Sequence, residues 1–170
     1  MILSVGELDD NKNHQVVIRA LAKLKEMNVH YVICGVGPNK DMLIKLAADN
    51  GLSDQVHLLG FRNDIPDIIH ASDIYAFPSF HEGLPVALSE AMAGGLPVVC
   101  SEIRGNVDLV RDDVNGLLAQ PNSISDWTKS LSIIINDNII QKSFVQISYK
   151  VINRYSIKSV TDELRKIYSR

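Results

Sequence analysis

The sequence predicts an α/β protein built on an open, parallel, six-stranded sheet with helices on both faces. Two observations carry that prediction. Short apolar runs of strand length alternate with segments whose apolar residues recur at helical spacing. Such alternation is the signature of strand–helix–strand units and a parallel sheet. The chain has 170 residues, of which 46% are hydrophobic and 22% charged, enough for one domain with a well-filled core.

The elements follow in order. Ile2-Leu-Ser-Val-Gly6 reads as the first core strand (2–6). A helix over 13–27 is predicted by Val16, Val17, Ala20, Leu21 and Leu24, which form a buried stripe. Tyr31-Val-Ile-Cys34 gives a strand at 30–34, and Gly35-Val-Gly37-Pro38 a turn into a helix at 39–50. Val56-His-Leu-Leu-Gly60 gives the third strand (56–60), followed by a helix at 65–70. Asp73-Ile-Tyr-Ala-Phe-Pro78 reads as a buried strand (73–77) closed by a proline. Pro85 suits the first position of a helix over 85–94, where its missing N–H costs nothing. Pro97-Val-Val-Cys100 is the fifth strand (97–100), a helix is expected at 105–111, and 116–119 is the last strand. From 123 onward the chain reads as helical, with Val160, Leu164, Ile167 and Tyr168 repeating the helical stripe. No repeat, low-complexity tract or linker divides the chain, so residues 1–170 are expected to be one domain.

The most informative stretch is Ser79 to Gly95. Glu82 and Glu90, with seven residues between them, flank a Gly83-Leu84-Pro85 turn that reads as a helix start. Glu82 is thus expected in a loop beyond the C-terminal end of a strand, and Glu90 inside the helix that follows. Ligands of open α/β sheets bind at that edge, and a helix N-terminus there offers N–H groups to an anion. From Pro85 to Glu90 a helix rises about 7.5 Å, which brings Glu90 to polar hydroxyls beside an anion held at the helix tip. Carboxylates accept hydrogen bonds from paired sugar hydroxyls. The pattern calls for a phosphate flanked by hydroxyls, as in a nucleotide-sugar.

Ser79-x-x-Glu82-Gly-Leu-Pro-x-x-x-x-Glu90-Ala-Met-Ala-x-Gly-x-Pro97-Val-Val99 strongly resembles the E-x7-E signature of glycosyltransferase family 4. Val5-Gly6 with Lys12-Asn13 resembles that family's opening loop, Gly35-Val-Gly37-Pro38 its second strand–helix turn, and Val56 to Phe61 the segment lining the base. Asn115-Gly-Leu-Leu118 resembles its last strand. Ser4-Val-Gly-Glu-Leu8, Gly60-Phe-Arg62 and Ile103-Arg-Gly-Asn106 look closest to bacterial capsule and exopolysaccharide transferases.

The resemblance implies the Rossmann-like C-terminal, donor-binding half of a GT-B fold. It also implies that an acceptor-binding N-terminal domain of similar size lies outside this sequence. The expected activity is retaining transfer of a hexose from a nucleoside-diphosphate sugar, UDP-sugars being favoured, to a glycan or lipid-linked acceptor. Glu82 would contact the hexose hydroxyls and Glu90 the ribose. Lys12 would stabilise the diphosphate leaving group, while Gly6, Gly83, Leu84, Pro85, Val86 and Ala87 would line the phosphates and sugar through their backbone. Phe61 and Arg62 follow the third strand, where an aromatic or guanidinium plane suits a base; a core Phe and surface Arg fit as well. The family usually has an arginine five residues before the lysine, where this chain has Glu7. Glu7 is expected to pair with Lys12 or turn away, with Arg104 or Arg62 supplying a substitute cation.

Other classes are less well served. A net charge of −3 argues against a general nucleic-acid partner. The Gly35-Val-Gly37 turn is no dinucleotide fingerprint, because Lys40 stands where its third glycine belongs. Cys34 and Cys100 read as reduced core residues. Trp127 is expected in the core, His14 at the start of the first helix and His81 in a solvated loop. No metal or cofactor is expected, and no stretch approaches the ~20 apolar residues of a membrane span. Met1 leads into the first strand without a charged leader, so cytoplasmic location is expected, with peripheral association of the full-length protein at the inner membrane face. Competing readings are a nucleotide-sugar binding module without transfer activity and a nucleotide-sugar epimerase of the same fold.

Overall fold

The computed structural model describes residues 1–168 and contains the six expected strands. These are β1 (Ile2–Val5), β2 (Tyr31–Cys34), β3 (Val56–Gly60), β4 (Ile74–Phe77), β5 (Val98–Ser101) and β6 (Leu117–Ala119). All pair in parallel, in the order β3-β2-β1-β4-β5-β6. The chain therefore starts mid-sheet, steps outward to β3, then returns to the other side of β1 and steps outward to β6. The reversal falls between β1 and β4, the position at which open α/β sheets bind their ligands.

The helices are α1 (His14–Leu21), α2 (Lys40–Asp49), α3 (Ile65–His70), α4 (Val86–Ala93), α5 (Arg104–Val107), α6 (Ile124–Asn136), α7 (Asn138–Ile152) and α8 (Ile157–Tyr168). Alternate strand residues feed two cores. Ile2, Tyr31, Ile33, Val56, Ile74 and Val99 pack with Val17, Leu43, Trp127 and Leu131 on one face. Leu3, Val32, Tyr75, Phe77, Val98 and Cys100 pack with Ile69, Leu88 and Met92 on the other. Trp127 is fully buried, and both cysteines are free and buried.

Several expectations are corrected. The first helix stops at Leu21, not 27, because residues 23 and 24 close i→i+3 turns on Ala20 and Leu21. Lys25–Met27 is a separate 3₁₀ turn that buries nothing, so no packing pulls those residues into the helix. Pro85 is not the first helical residue. With ψ at 77° it stands outside as the cap of α4, which begins at Val86. α5 is a single turn at Arg104–Val107 in place of 105–111. The stripe of α8, by contrast, is present as read, and it faces outward: Val160 and Leu164 are 44% and 47% exposed, Ile167 and Tyr168 more so.

Candidate donor site

The crevice between β1 and β4 is built by two loops that hold each other. Residues 6–13 leave β1, and residues 78–85 leave β4. Asn11 clamps the second loop: its side-chain oxygen accepts from the His81 N–H (3.0 Å) and its side-chain N–H donates to the His81 carbonyl (3.1 Å). Its own carbonyl accepts from the Phe80 N–H at 2.8 Å. Asn13, buried and left-handed at φ 49°, donates to the carbonyls of Pro78 (3.3 Å) and Pro121 (2.9 Å). Asp9 accepts from the Lys12 N–H at 2.8 Å, fixing the turn that carries the lysine.

Within this frame Lys12 and Glu82 meet, 2.6 Å apart from Nζ to Oε1. Their side chains are 22% and 12% exposed. The Lys12 stem lies over Gly6, where an added Cβ would come within 3.3 Å of it, and its ammonium stands 5.5 Å from the centre of the Phe77 ring. Glu82 is therefore paired and mostly shielded, not the solvated carboxylate that its loop position alone would give. The expected pairing of Lys12 with Glu7 is not formed: Glu7 is exposed and makes no ion pair among the described residues.

The loop from Glu82 runs into the N-terminus of α4. The amides of Gly83, Leu84 and Ala87 donate to no acceptor among the described residues, whereas the Val86 amide is taken by the Leu84 carbonyl at 2.9 Å. Val86 thus departs from the expectation that its N–H is open. Leu84 and Val86 expose their side chains, and Pro85 is buried. Glu90 follows in the second turn of α4. It is exposed, free to meet a ligand's hydroxyls. It borders an apolar groove of about 340 Å³ shared with Ile65, Ile69 and Ala93.

Arg104 opens α5 beside the same loop and is exposed. The approach is close: a Cβ on Gly105 would fall 2.6 Å from the Glu82 carbonyl, so only glycine lets α5 abut the loop. Gly35 has the same role across the sheet, where a Cβ would fall 1.8 Å from the Gly6 carbonyl. Beyond it a cleft of about 420 Å³ is lined by Gly6, Glu7, Gly35, Val36, Phe61 and Arg62. Phe61 is 74% exposed and is not a core residue. Arg62 is gripped by Asp64 through Nε (2.8 Å) and a second N–H, a fork that raises the arginine's pKa and lowers the aspartate's.

Beneath the crevice His14 is buried, with Nε2 3.2 Å from the Glu7 carbonyl and Nδ1 3.2 Å from the Tyr31 hydroxyl. A carbonyl only accepts, so Nε2 carries the proton and Nδ1 accepts from Tyr31. Burial holds this histidine neutral, lowering its pKa to about 4. His81 is exposed, as expected.

Lys12, Glu82, Gly6 and the start of α4 thus converge on one crevice, with Arg104 along its side. Phe61 and Arg62 line the neighbouring cleft, and Glu90 the groove beyond. Sequence reasoning gave Asp9, Asn11, Asn13 and Gly105 no role in positioning the loops, which is what they do. The signal was present: Asp and Asn in a short loop favour side-chain-to-backbone bonds and left-handed backbone.

The family model for glycosyl transferases group 1 matches residues 1–151. An Escherichia coli UDP-Gal:alpha-D-GlcNAc-diphosphoundecaprenol alpha-1,3-galactosyltransferase is 32% identical over 169 residues, covering 96% of this chain and 44% of that protein. A Campylobacter jejuni N-acetylgalactosamine-N,N'-diacetylbacillosaminyl-diphospho-undecaprenol 4-alpha-N-acetylgalactosaminyltransferase is 36% identical over 144 residues, 84% of this chain and 39% of that one. The chain therefore spans less than half the length of either relative. Among solved structures, Anabaena Alr3699/HepE in complex with UDP superposes with a TM-score of 0.89 at 25% identity, over 99% of this chain and 48% of that chain. The C-terminal domain of a group 1 glycosyl transferase, LpcC from Francisella tularensis, superposes with a TM-score of 0.82 at 25% identity, over 92% and 86% of the two chains. This chain belongs to the glycosyl transferases of group 1.

Proposed function

We propose that this chain is the donor-binding half of a retaining hexosyltransferase of the family 4 type. It takes a hexose from a nucleoside-diphosphate sugar, a UDP-sugar first, for a glycan or lipid-linked acceptor presented by a second domain. The observation that carries the reading is the meeting of Lys12 and Glu82 at the β1/β4 reversal, beside the open amides at the start of α4. A cation and N–H donors suit a diphosphate, and a carboxylate suits sugar hydroxyls. In this assignment Glu82 faces the hexose and Glu90 the ribose. Lys12, Gly6, Gly83, Leu84 and Arg104 serve the phosphates. The base enters the cleft between Val36 and Phe61. The pairing of Arg62 with Asp64 leaves Arg104 the better substitute for the family's arginine.

Catalysis then rests on orienting the donor and stabilising negative charge on the departing diphosphate. The acceptor hydroxyl attacks the face from which the diphosphate leaves, through an oxocarbenium-like transition state. Two relatives are named for diphospho-undecaprenol substrates, which favours a lipid-linked acceptor in bacterial surface-polysaccharide assembly. Among the described residues no helix is long and apolar enough to cross a membrane; we place the protein in the cytoplasm, at the inner membrane face when joined to its acceptor domain. A second reading, binding without transfer, is favoured by Glu7, whose exposed carboxylate borders the base cleft where the family has a cation.

The test is calorimetric titration of the chain with UDP, GDP, ADP and their sugars, repeated with Glu90→Ala, and a transfer assay on the longer protein with Glu82→Ala. Selective binding of one nucleotide, weakened in Glu90→Ala, with transfer lost in Glu82→Ala, is the expected result. Unchanged binding and transfer in both variants overturns the proposal. Binding without transfer in the longer protein selects the second reading.

A further inference from the structure

Resting on that reading, we propose that Glu82 sets the site's preference for a nucleoside-diphosphate sugar over the bare nucleoside diphosphate, by holding Lys12 until sugar hydroxyls replace it. The ammonium that would meet the diphosphate is already engaged, 2.6 Å from the Glu82 carboxylate. Arg62 is held by Asp64, so it is not a ready replacement at the crevice. Lys12 is also confined, its stem against Gly6 and its head over Phe77.

A nucleoside diphosphate entering alone meets the exposed Arg104 at the side of the crevice and draws Lys12 toward its phosphates as well. Glu82, only 12% exposed, is then left without its cation and with little water to compensate. Its charge also repels the phosphates, through space that the surrounding loops keep partly dry. Both effects weaken the bare diphosphate. A nucleotide-sugar brings its own remedy, because hexose hydroxyls donate to the carboxylate as Lys12 turns away. The carboxylate thus rewards the donor and penalises the product, which favours release of the diphosphate once the sugar has been transferred.

The prediction separates this role from simple sugar contact. Glu82→Gln, which keeps shape and removes charge, is titrated calorimetrically with UDP, GDP and ADP and with UDP-glucose, GDP-mannose and ADP-glucose, beside the wild type. Whichever nucleotide the wild type binds, the variant is expected to bind its bare diphosphate about tenfold tighter. The sugar conjugate gains less or binds more weakly, so the ratio of the two affinities falls. The gain has to shrink in the Lys12→Met background, where no pair is left to break and only the repulsion is relieved. A carboxylate that only touches sugar leaves diphosphate affinity unchanged in Glu82→Gln, and that result, with native far-UV circular dichroism, overturns the proposal. If Glu82→Gln does not fold, Glu82→Asp, which retracts the carboxylate from Lys12, carries the same comparison with a smaller gain. If the wild type binds none of the six, the donor site itself is refuted and this inference falls with it.

Discussion

Asn11→Ala tests whether the two loops of the crevice act as one unit. The substitution removes the paired hydrogen bonds to the His81 N–H and carbonyl and leaves the Phe80 N–H bond to the residue 11 carbonyl intact. Each lost bond is worth about 0.5–1.5 kcal/mol, and their exposure puts the pair at roughly 1–2 kcal/mol. For a chain of this size that lowers Tm by about 2–8 °C. The same free energy bears on binding, because Glu82 sits one residue beyond the clamp and its loop has to be re-formed by the ligand. Full coupling weakens donor affinity by about five- to thirtyfold. Differential scanning calorimetry and donor titration on the same preparation give both numbers. A fall in Tm with donor affinity held within about twofold refutes the reasoning, since the Glu82 loop would then keep its geometry without the clamp.

Three further outcomes are expected. His14 has a folded pKa of about 4 against an ordinary 6.5, so between those values the unfolded chain binds a proton that the folded chain excludes. Its contribution is present above about pH 6.5 and is lost as pH falls toward 4: a gap of about 2.5 pH units at roughly 1.36 kcal/mol each is about 3 kcal/mol. Urea unfolding of the wild type across that range should show this decline, and His14→Gln should flatten it. Trp127 is the only tryptophan and is fully buried, its indole N–H without a partner among the described residues, so its emission should be blue-shifted. Trp127→Ala should cost about 3–5 kcal/mol by urea unfolding, and Trp127→Phe clearly less because it removes that orphaned donor. Lys12→Met should weaken nucleotide binding by about tenfold or more, whereas Arg62→Ala, already gripped by Asp64, should change it by less than about threefold. Equal losses in the two titrations would return Arg62 to the phosphate site.

The fold was legible because the strands bury apolar runs on both faces, leaving a sharp hydropathy signal at Ile2–Val5, Tyr31–Cys34, Ile74–Phe77 and Val98–Ser101. Helix ends were less so. The polar residues around Lys23 and Glu26 carry no burial to show whether α1 continues, and Pro85 suits a cap as well as a first turn. At the site, the E-x7-E spacing foretold that Glu82 and Glu90 lie on a loop and the helix after it. It did not foretell that Glu82 would take Lys12, a residue 70 positions earlier, because that pairing depends on the strand order β1-β4. Nor did it show Arg62 turned onto Asp64, because a fork between residues two apart depends on the local backbone and rotamers. The apolar stripe of α8 was readable as a pattern, but a pattern does not say what packs against it.

The most direct test of the donor-site assignment is a crystal structure of this chain with the nucleotide-sugar that titration selects. The account predicts the diphosphate at the start of α4, near the Gly83 and Leu84 amides, with Lys12 turned from Glu82 toward it and hexose hydroxyls on the Glu82 carboxylate. A nucleotide-sugar bound instead at the opposite edge of the sheet, in the cleft beside Asp73, Gly95 and Lys142, with the Lys12–Glu82 pair intact, would contradict it.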